Sequence, residues 1–336
     1  MDTLTHIVVG ACIGEIIAGK QLGKKALVLG ALANSIPDVD FIAAFWMPVT
    51  KDLLAHRGFT HSLLFAILFT PLLAFLSEKL FRRQGIATKT WLLFWGIQLF
   101  AHLFIDLFNA YGTGLFEPFS HFRVSFNTMF VADPMFSIWP GIAVIILLIL
   151  KVSNNKRMVL AWSALALCSI YLLSGIGFKF LIDNAVTKDF NNRKMVINRY
   201  FTTPTPLNNL LWYIVAQNDS GYYIGYRSVF DRQDTIDYHY ARRNESLLAL
   251  TDKQEDINRL LRFSQGYYTV ENWHDTLTFN DLRFGEIIGW AEPHPKVAFH
   301  YFLQYPEGNK MVVQRGRFAK WDKKILQSFI NRIKGI

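Results

Sequence analysis

Long apolar stretches dominate the first half of the chain. They lie at residues 4–19, 26–47, 62–81, 91–109, 130–150 and 159–182. Each meets or approaches the roughly 17–25 residues with which a helix crosses the core of a bilayer. The last two contain long runs without charge, whereas the first four carry ionisable side chains. The pattern predicts a multipass α-helical membrane domain over residues 1–182, with about five to six helices or half-helices, the last two of which are anchors.

A different pattern begins at Asp183. Polar residues now alternate with short aromatic and β-branched runs, which predict strands, and Gly, Pro and Asn clusters between them predict turns. The clearest strand candidates are Leu211–Val215, Tyr222–Tyr226 and Met311–Val313. Helices are expected at 251–264 and 320–333. Residues 183–336 are therefore expected to form an α+β domain with a curved or meandering antiparallel sheet.

Basic residues cluster in alternate loops between the apolar stretches. The clusters are Lys20/Lys24/Lys25, Lys79/Arg82/Arg83/Lys89 and Lys151/Lys156/Arg157. Because cytoplasmic loops carry the excess of Lys and Arg, these three are assigned to the cytoplasm. The N-terminus, the loops 48–61 and 110–129, and the domain from about residue 183 then face the extracytoplasmic side. The start of the sequence lacks the basic region of a signal peptide, so the first stretch is expected to stay in the mature protein.

Composition narrows the class of protein and the chemistry. The 336 residues are 51% hydrophobic and only 18% charged, whereas an ordinary soluble domain carries roughly a quarter charged residues. A plain soluble enzyme is excluded, and the net charge of +9 reflects loop charges beside membrane spans rather than nucleic-acid binding. Cys12 and Cys168 both lie in apolar stretches, which excludes a disulfide framework and a Cys-rich zinc site. Any metal must be held by histidine and carboxylate ligands.

Ionisable residues inside the apolar stretches and their connecting loops are candidates for function. A charge in a bilayer costs several kcal/mol unless it is paired, hydrated or bound to a cation. The candidates are His6, Glu15, Asp38, Asp40, His56, His61, His102, Asp106 and Asp133. Glu15 stands apart from the others, because it lies nine residues after His6 on a roughly opposite helical face.

Two of the candidate pairs have informative spacing. His102 and Asp106 are four residues apart and share one helix face, as adjacent metal ligands or an imidazole oriented by a carboxylate require. A polar pair that joins two membrane helices is the alternative. Asp38 and Asp40 follow Pro37, which disfavours helix before it and allows the two carboxylates to converge from a bent backbone. A solvated helix end is the alternative there.

The third pair lies in a loop. His56 and His61 are five residues apart with Gly58 between them, so a loop that turns at Gly58 brings together two imidazoles that a helix would separate. A solvated loop is the alternative. Ser62, which follows, is either a hydroxyl beside the site or the N-cap of a helix that begins at Leu63. The topology drawn from the basic clusters places the candidate groups near one membrane face, provided that the second stretch breaks midway.

These groups suit metal chemistry. Four histidines with three or four aspartates exceed the three protein ligands of one catalytic zinc and suit two metals about 3.5–4 Å apart, which activate a water molecule. Zinc is the first choice, and Mn, Fe or Ni fit the same ligands. We assign Asp40 or Asp133 as general base or bridging ligand and Arg57 as the group that orients an anionic substrate. Arg123 is a second guanidinium, for which binding of lipid headgroups is the alternative.

Ordered motifs in the first 135 residues also resemble a known family. They are Met1-Asp-x-x-Thr-His6, Pro37-Asp-x-Asp40, His56-Arg-Gly-x-Thr-His-Ser62 and His102-x-x-x-Asp106 followed by Tyr111-Gly-Thr113. Together they resemble the YdjM-like family of bacterial inner-membrane metal-dependent hydrolases, some members of which are described as LexA-regulated. The resemblance implies a multipass inner-membrane protein with hydrolase activity. It also implies a metal-binding role for His6, Asp38, Asp40, His56, His61, His102 and Asp106.

The leading hypothesis is an integral-membrane metal hydrolase whose site opens to the outer face, with the C-terminal domain covering or gating it. A membrane-embedded or lipid-linked phosphoester is the first choice of substrate, and an amide or acyl ester is an alternative. Two other classes stay open at this point. One is a transporter of divalent metal ions or protons, and the other is a binding or regulatory protein in which the metal is structural.

Overall fold

The computed structural model describes residues 1–273, 276–304, 309, 318 and 321–336. Two compact units are present. The first consists of Met1–Ala43 with Ala55–Ser174, and the second of Ala44–Leu54 with Gly175–Ile336. The boundary expected between residues 182 and 183 falls inside one helix, α7 (Lys156–Asn192), which continues from the first unit into the second.

The first unit is helical. Its α-helices are α1 (Thr3–Leu22), α2 (Lys25–Asn34), α4 (Leu63–Leu80), α5 (Thr88–Asp106), α6 (Pro134–Ile149) and the first part of α7. Three of them begin at a side chain that accepts a hydrogen bond from the first turn: Asp2 in α1, Ser62 in α4 and Asp133 in α6. Such caps satisfy N–H groups that have no partner within the helix. Ser62 is therefore an N-cap, which is one of the two roles that the sequence allows.

Several of these helices are apolar enough to cross a membrane. By length and composition α1, α4 and α7 qualify, and α2 together with the 3₁₀ segment Pro37–Phe45 forms a fourth candidate that is bent by 61°. The bend lies where Pro37 was expected to break the second apolar stretch. α6 is apolar but has only 16 residues. α5 is not among the candidates, because polar residues such as Gln98, His102 and Asp106 lower its hydropathy.

Glycines allow α1 and α2 to pack with their backbones in contact. A Cβ atom at Gly14 would lie less than 3.0 Å from the carbonyl oxygen of Ala26, and one at Gly30 would lie equally close to the carbonyl oxygen of Gly10. Small residues at such crossings let membrane helices approach closely. Gly10, Gly14 and Gly30 therefore allow the close packing of α1 against α2.

The replacement Gly30→Ala is expected to lower the free energy of unfolding by about 1–3 kcal/mol, because the added methyl group forces α1 and α2 apart. Gly141→Ala in α6 is the matched control, since the space around that position is open to 4 Å. Reversible unfolding of both variants in detergent micelles measures the difference. Equal stability of the two variants would contradict the close contact.

The second unit contains two antiparallel sheets, where the sequence suggested one. The first sheet has the order β1 (Arg199–Pro204), β2 (Leu211–Gln217), β3 (Gly221–Ser228) and β4 (Tyr238–Arg242), and the second has the order β5 (Tyr268–Trp273), β6 (Thr276–Ile287) and β7 (Lys296–Phe302). Both are meanders in which strands adjacent in sequence pair. The strands expected at 211–215 and 222–226 are confirmed, whereas Met311–Val313 lies outside the described residues.

Helices and alternating side chains complete this unit. Trp212, Ile214 and Ala216 on one face of β2 pack against Ile182 and Val186 of α7. Successive strand residues point to opposite faces, which explains why every second residue of β2 joins this cluster. The unit also contains α3 (Val49–Ala55, which reaches the boundary of the first unit), α8 (Gln254–Phe263) and α9 (Lys323–Ile333), and the last two confirm the predicted helices.

Candidate metal centre

Four side chains from separate parts of the first unit converge. Asp38, His61, His102 and Asp106 each offer one ligand atom, and these atoms lie within 4.8 Å of one another. The last three side chains are completely buried, and Asp38 retains slight exposure. Four of the seven residues expected to bind metal therefore form one group.

Local structure explains why these residues meet. α2 ends at Asn34, and Pro37 starts the 3₁₀ segment that turns Asp38 back towards the bundle. His102 and Asp106 lie one turn apart near the end of α5, with 3.7 Å between His102 Nε2 and Asp106 Oδ2. Asp38, from the broken second stretch, therefore lies beside His102 and Asp106 of α5, as expected.

The loop that supplies His61 bends at Gly58, as expected. The residue with a left-handed backbone is its neighbour Arg57, with φ of 59°. A side chain in this region costs about 1–2 kcal/mol, so surrounding contacts must hold it. The Arg57 N–H donates to Asp40 Oδ2 at 2.9 Å, and its carbonyl oxygen accepts from Gly114 N at 2.9 Å. The rings of His56 and His61 are 6.0 Å apart across this turn.

The two buried imidazoles face each other with unprotonated nitrogens. His102 Nδ1 lies 2.5 Å from the carbonyl oxygen of Asn34, and His61 Nδ1 lies 3.2 Å from Asp40 Oδ2. The Thr60 hydroxyl, 3.1 Å from His61 Nδ1, donates to Asp40 and therefore accepts from His61. With these acceptors both Nδ1 atoms carry the proton, and in neutral rings both Nε2 atoms present lone pairs. These Nε2 atoms are 3.1 Å apart. Two lone pairs at this distance repel each other unless a cation lies beside them.

Carboxylate oxygens complete this set of acceptors. Asp38 Oδ1 and Asp106 Oδ2 each lie 3.4 Å from His61 Nε2. Asp106 Oδ2 is buried and makes no hydrogen bond with the part of the chain that the structure describes. Two imidazoles and two carboxylates are a donor set that zinc, manganese, iron or nickel accepts. The residues present therefore fit a divalent metal ion.

His6 adjoins this group through Asp106. Its Nε2 lies 3.2 Å from Asp106 Oδ1, its Nδ1 lies 3.2 Å from Asn34 Oδ1, and its ring stacks on that of His102 at 3.7 Å. The Met1 amino group also contacts Asp106 Oδ1. From its place in the first turns of α1, His6 thus orients a carboxylate of the group.

Asp40 organises the histidine loop. Its carboxylate contacts His56 Nδ1 at 2.9 Å, the Arg57 N–H, the Thr60 hydroxyl at 3.0 Å and His61 Nδ1. A carboxylate that binds the far nitrogen of a metal-ligating histidine fixes the orientation of that ring. Burial lowers the pKa of His56, and the contact with Asp40 partly opposes this effect.

Arg57 points into the centre and balances its charge. Its Nε lies 3.2 Å from Asp106 Oδ2, and Nη1 donates to Asn109 Oδ1 at 2.7 Å. The guanidinium also lies 4.8 Å from the centre of the Tyr111 ring. Arg123 stabilises the loop instead, because it donates to the carbonyl oxygen of His56 at 2.9 Å.

Asp133 and Glu15 lie outside the four-residue group and have other partners. Asp133 accepts a hydrogen bond from the Tyr171 hydroxyl at 2.7 Å and caps α6, and it is not part of the four-residue group. Glu15 forms a buried ion pair with Arg157. Sequence reasoning missed that pair as well as Asn34 and Asn109. Asn109 follows Asp106 by three residues, a spacing that could have identified it. Arg157, the partner of Glu15, is 142 positions away, and no local spacing connects the two.

Comparisons with known proteins identify the family of the chain. A sequence profile described as YdjM inner membrane protein matches residues 1–181, more than half of the chain. The chain belongs to this family. It is therefore an inner-membrane protein by family, and all the residues of the candidate metal centre lie within the matched part.

Two named relatives match shorter parts of the chain. Inner membrane protein YbcI of Escherichia coli is 31% identical over 112 residues, which cover 33% of this chain and 63% of that protein. Uncharacterized protein YfhP of Bacillus subtilis is 33% identical over 142 residues, which cover 40% of this chain and 42% of that protein. The chain thus covers less than two thirds of either relative. No solved structure matches.

Proposed function

We propose that this protein is an integral-membrane, metal-dependent hydrolase. The observation that carries the proposal is the convergence of acceptors: two buried imidazole Nε2 atoms 3.1 Å apart, a buried carboxylate oxygen of Asp106 and a partly buried one of Asp38. A polar pair that merely joins helices would match donors with acceptors, because an unmatched buried polar group costs about 1–3 kcal/mol. Arg57 Nε, 3.2 Å from Asp106 Oδ2, and the Met1 amino group on Asp106 Oδ1 offset part of this negative charge. A metal ion beside the two Nε2 atoms is the partner that we propose for the rest of the set.

In this proposal Asp38, His61, His102 and Asp106 hold the metal, and His6 and Asp40 orient them. A bound divalent ion supplies a Lewis acid that acidifies a water molecule and polarises the bond to be cleaved. A second ion, as two-metal hydrolysis requires, would be held by His56 and Asp40, and Asp40 would then act as a bridging ligand instead of a base. Zinc is the first choice of metal.

The open side of the group indicates where a substrate enters. Asp38 and Asp40 have 14% and 7% of their side chains exposed, and His56 has 30%, whereas His61, His102 and Asp106 have none. Water and substrate therefore approach past Asp38 and Asp40. Asp40 accepts the proton of the attacking water as general base, since it lies on this side.

The substrate that we propose is a lipid or lipid-linked phosphoester, cleaved at the extracytoplasmic face. Membership of an inner-membrane family supports a membrane lipid as the substrate. Arg57 lies beside the group, with Nε 3.2 Å from Asp106 Oδ2, and a guanidinium binds phosphoryl oxygens well. It stabilises the negative charge that develops on them during hydrolysis.

Activity is expected to require both the metal and the open-side carboxylate. Protein reconstituted in vesicles with lipid phosphoesters should release water-soluble headgroup or phosphate, and a chelator should abolish release until Zn or Mn is restored. Asp38→Asn should lower the rate by about 100-fold or more, because it removes an anionic ligand. His294→Ala, which changes an exposed histidine of the second unit, is the control and should keep full activity. Release that survives complete metal removal would contradict the proposal.

One observation favours transport as a second candidate. Buried polar groups continue from His6 to Asn34 and on to Gln98, since Asn34 Nδ2 donates to Gln98 Oε1 at 3.1 Å. Gln98 in turn donates to the carbonyl oxygen of Gly10 at 2.9 Å. Such a line of groups is also typical of an ion pathway. Uptake of metal ions into sealed proteoliposomes, without phosphoester cleavage, would favour transport over hydrolysis.

A further inference from the structure

The loop between α5 and α6 exposes an unusual set of aromatic side chains. Four phenylalanines in Gly114–Phe126 are exposed: Phe116, Phe119, Phe122 and Phe126. Phe119 is 84% exposed and Phe122 is 66% exposed. Exposed apolar side chains that cluster in this way mark a surface that contacts another apolar phase.

The ionisable residues of the same loop are engaged within the protein. Glu117 and His121 pair with each other at 2.9 Å. Arg123 is buried and donates to carbonyl oxygens of Gly112 and His56. A loop in water usually keeps its rings inside. In Gly114–Phe126 the rings are outside, Arg123 is buried and Glu117 is only 14% exposed, so that His121 is the one strongly exposed ionisable side chain of the loop.

The exposed rings continue the apolar surface of a membrane-protein helix. Phe104, which is exposed on α5, contacts Phe108 with ring centres 5.0 Å apart, and Phe108 contacts Phe126 at 5.2 Å. The loop is also joined to the metal centre. Gly114 N donates to the Arg57 carbonyl oxygen at 2.9 Å, and Leu63 N donates to the Leu115 carbonyl oxygen at 3.0 Å.

We propose that Gly114–Phe126 is a lipid-binding loop whose phenylalanines insert into the boundary between headgroups and acyl chains of the bilayer. Amphipathic elements with outward Phe and paired charges bind at this depth. Because the loop contacts the histidine motif directly, it holds the metal centre at the bilayer surface. A substrate with acyl chains then reaches the centre from the lipid phase. This last consequence rests on the proposed hydrolase function, whereas insertion of the loop does not.

Spin labels test the insertion directly. Phe119→Cys and Phe122→Cys are made in a chain with Cys12 and Cys168 replaced by alanine, labelled, and reconstituted in vesicles of phosphatidylethanolamine and phosphatidylglycerol. Relaxation by oxygen, which concentrates in lipid, is compared with relaxation by a water-soluble nickel complex. We expect both labels to respond mainly to oxygen. A label at Gln233→Cys in the second unit, where the side chain is exposed, is the control and should respond to nickel.

Two results would overturn the insertion. A dominant nickel response at 119 and 122 would place the loop in water, and inaccessibility to both reagents would show that a protein partner or a second copy covers it. The consequence for the substrate has its own readout. Phe119→Ser with Phe122→Ser should raise the KM for a vesicle-borne phosphoester about tenfold and leave cleavage of a water-soluble phosphodiester unchanged. If insertion is confirmed but the kinetics on both substrates are unchanged, the loop binds lipid and the substrate does not reach the centre from the lipid phase.

Discussion

Purified His61→Ala protein is expected to lose its bound metal while it still inserts in the membrane. His61 is completely buried, and its Nε2 lies within 3.4 Å of His102, Asp38 and Asp106. Removal of this imidazole takes away the ligand that contacts all three others. His102→Ala should have the same effect. Elemental analysis of metal atoms per chain in detergent-purified protein, with chelator-free buffers, measures the loss.

The matched control is His121→Ala, because that histidine is exposed and pairs only with Glu117 among the contacts described here. It should retain the metal of the wild type. Asp40→Asn should give an intermediate result, since loss of a carboxylate that orients a ligand costs about 10–100-fold in metal affinity. Added zinc should raise the unfolding temperature of wild type and His121→Ala but not of His61→Ala, because only a folded site that binds metal is stabilised. Full metal content in His61→Ala and His102→Ala would show that the centre is not a metal site.

Much of this centre was predictable from local spacing. His102 and Asp106 share a helix face whenever the segment is helical, and Pro37 disfavours helix at the residue before it wherever it stands. The basic clusters gave a topology that placed these motifs at one depth. Convergence of Asp38, His61, His102 and Asp106 therefore followed from two separate patterns, and the structure brings these four together.

The roles inside the centre were less accessible to sequence reasoning. Asp40 was expected to bind metal or act as base, and the structure shows it holding four groups of the histidine loop. The left-handed residue is Arg57 rather than the neighbouring glycine. Both features depend on which donors surround a carboxylate in three dimensions, and spacing along the chain does not contain this information. The same limit explains why Asn34 was missed, since its partners come from α1 and α5.

The ion pair of Glu15 with Arg157 also could not be predicted from local spacing, because the two residues are 142 positions apart. Arg157 belongs to the third basic cluster, which was assigned wholly to loop charges. In the structure it is 3% exposed and its guanidinium binds both carboxylate oxygens of Glu15 at 2.7 Å. It also donates to the carbonyl oxygens of Leu147 and Leu150, at the end of α6. One side chain therefore ties α1, α6 and α7 together.

Replacement of Arg157 by methionine is expected to lower the free energy of unfolding by about 3–5 kcal/mol, because it leaves the Glu15 carboxylate buried without its counter-ion. The double replacement Glu15→Gln with Arg157→Met should recover most of this loss, since no uncompensated charge remains. Lys156→Met is the control, because Lys156 is the exposed neighbour of Arg157 in the same cluster and should change stability by less than about 0.5 kcal/mol. Reversible unfolding in mixed micelles measures all four proteins. If Arg157→Met proves no less stable than Lys156→Met, or the double variant is the least stable of the set, the pair does not join these helices in the way that the structure shows.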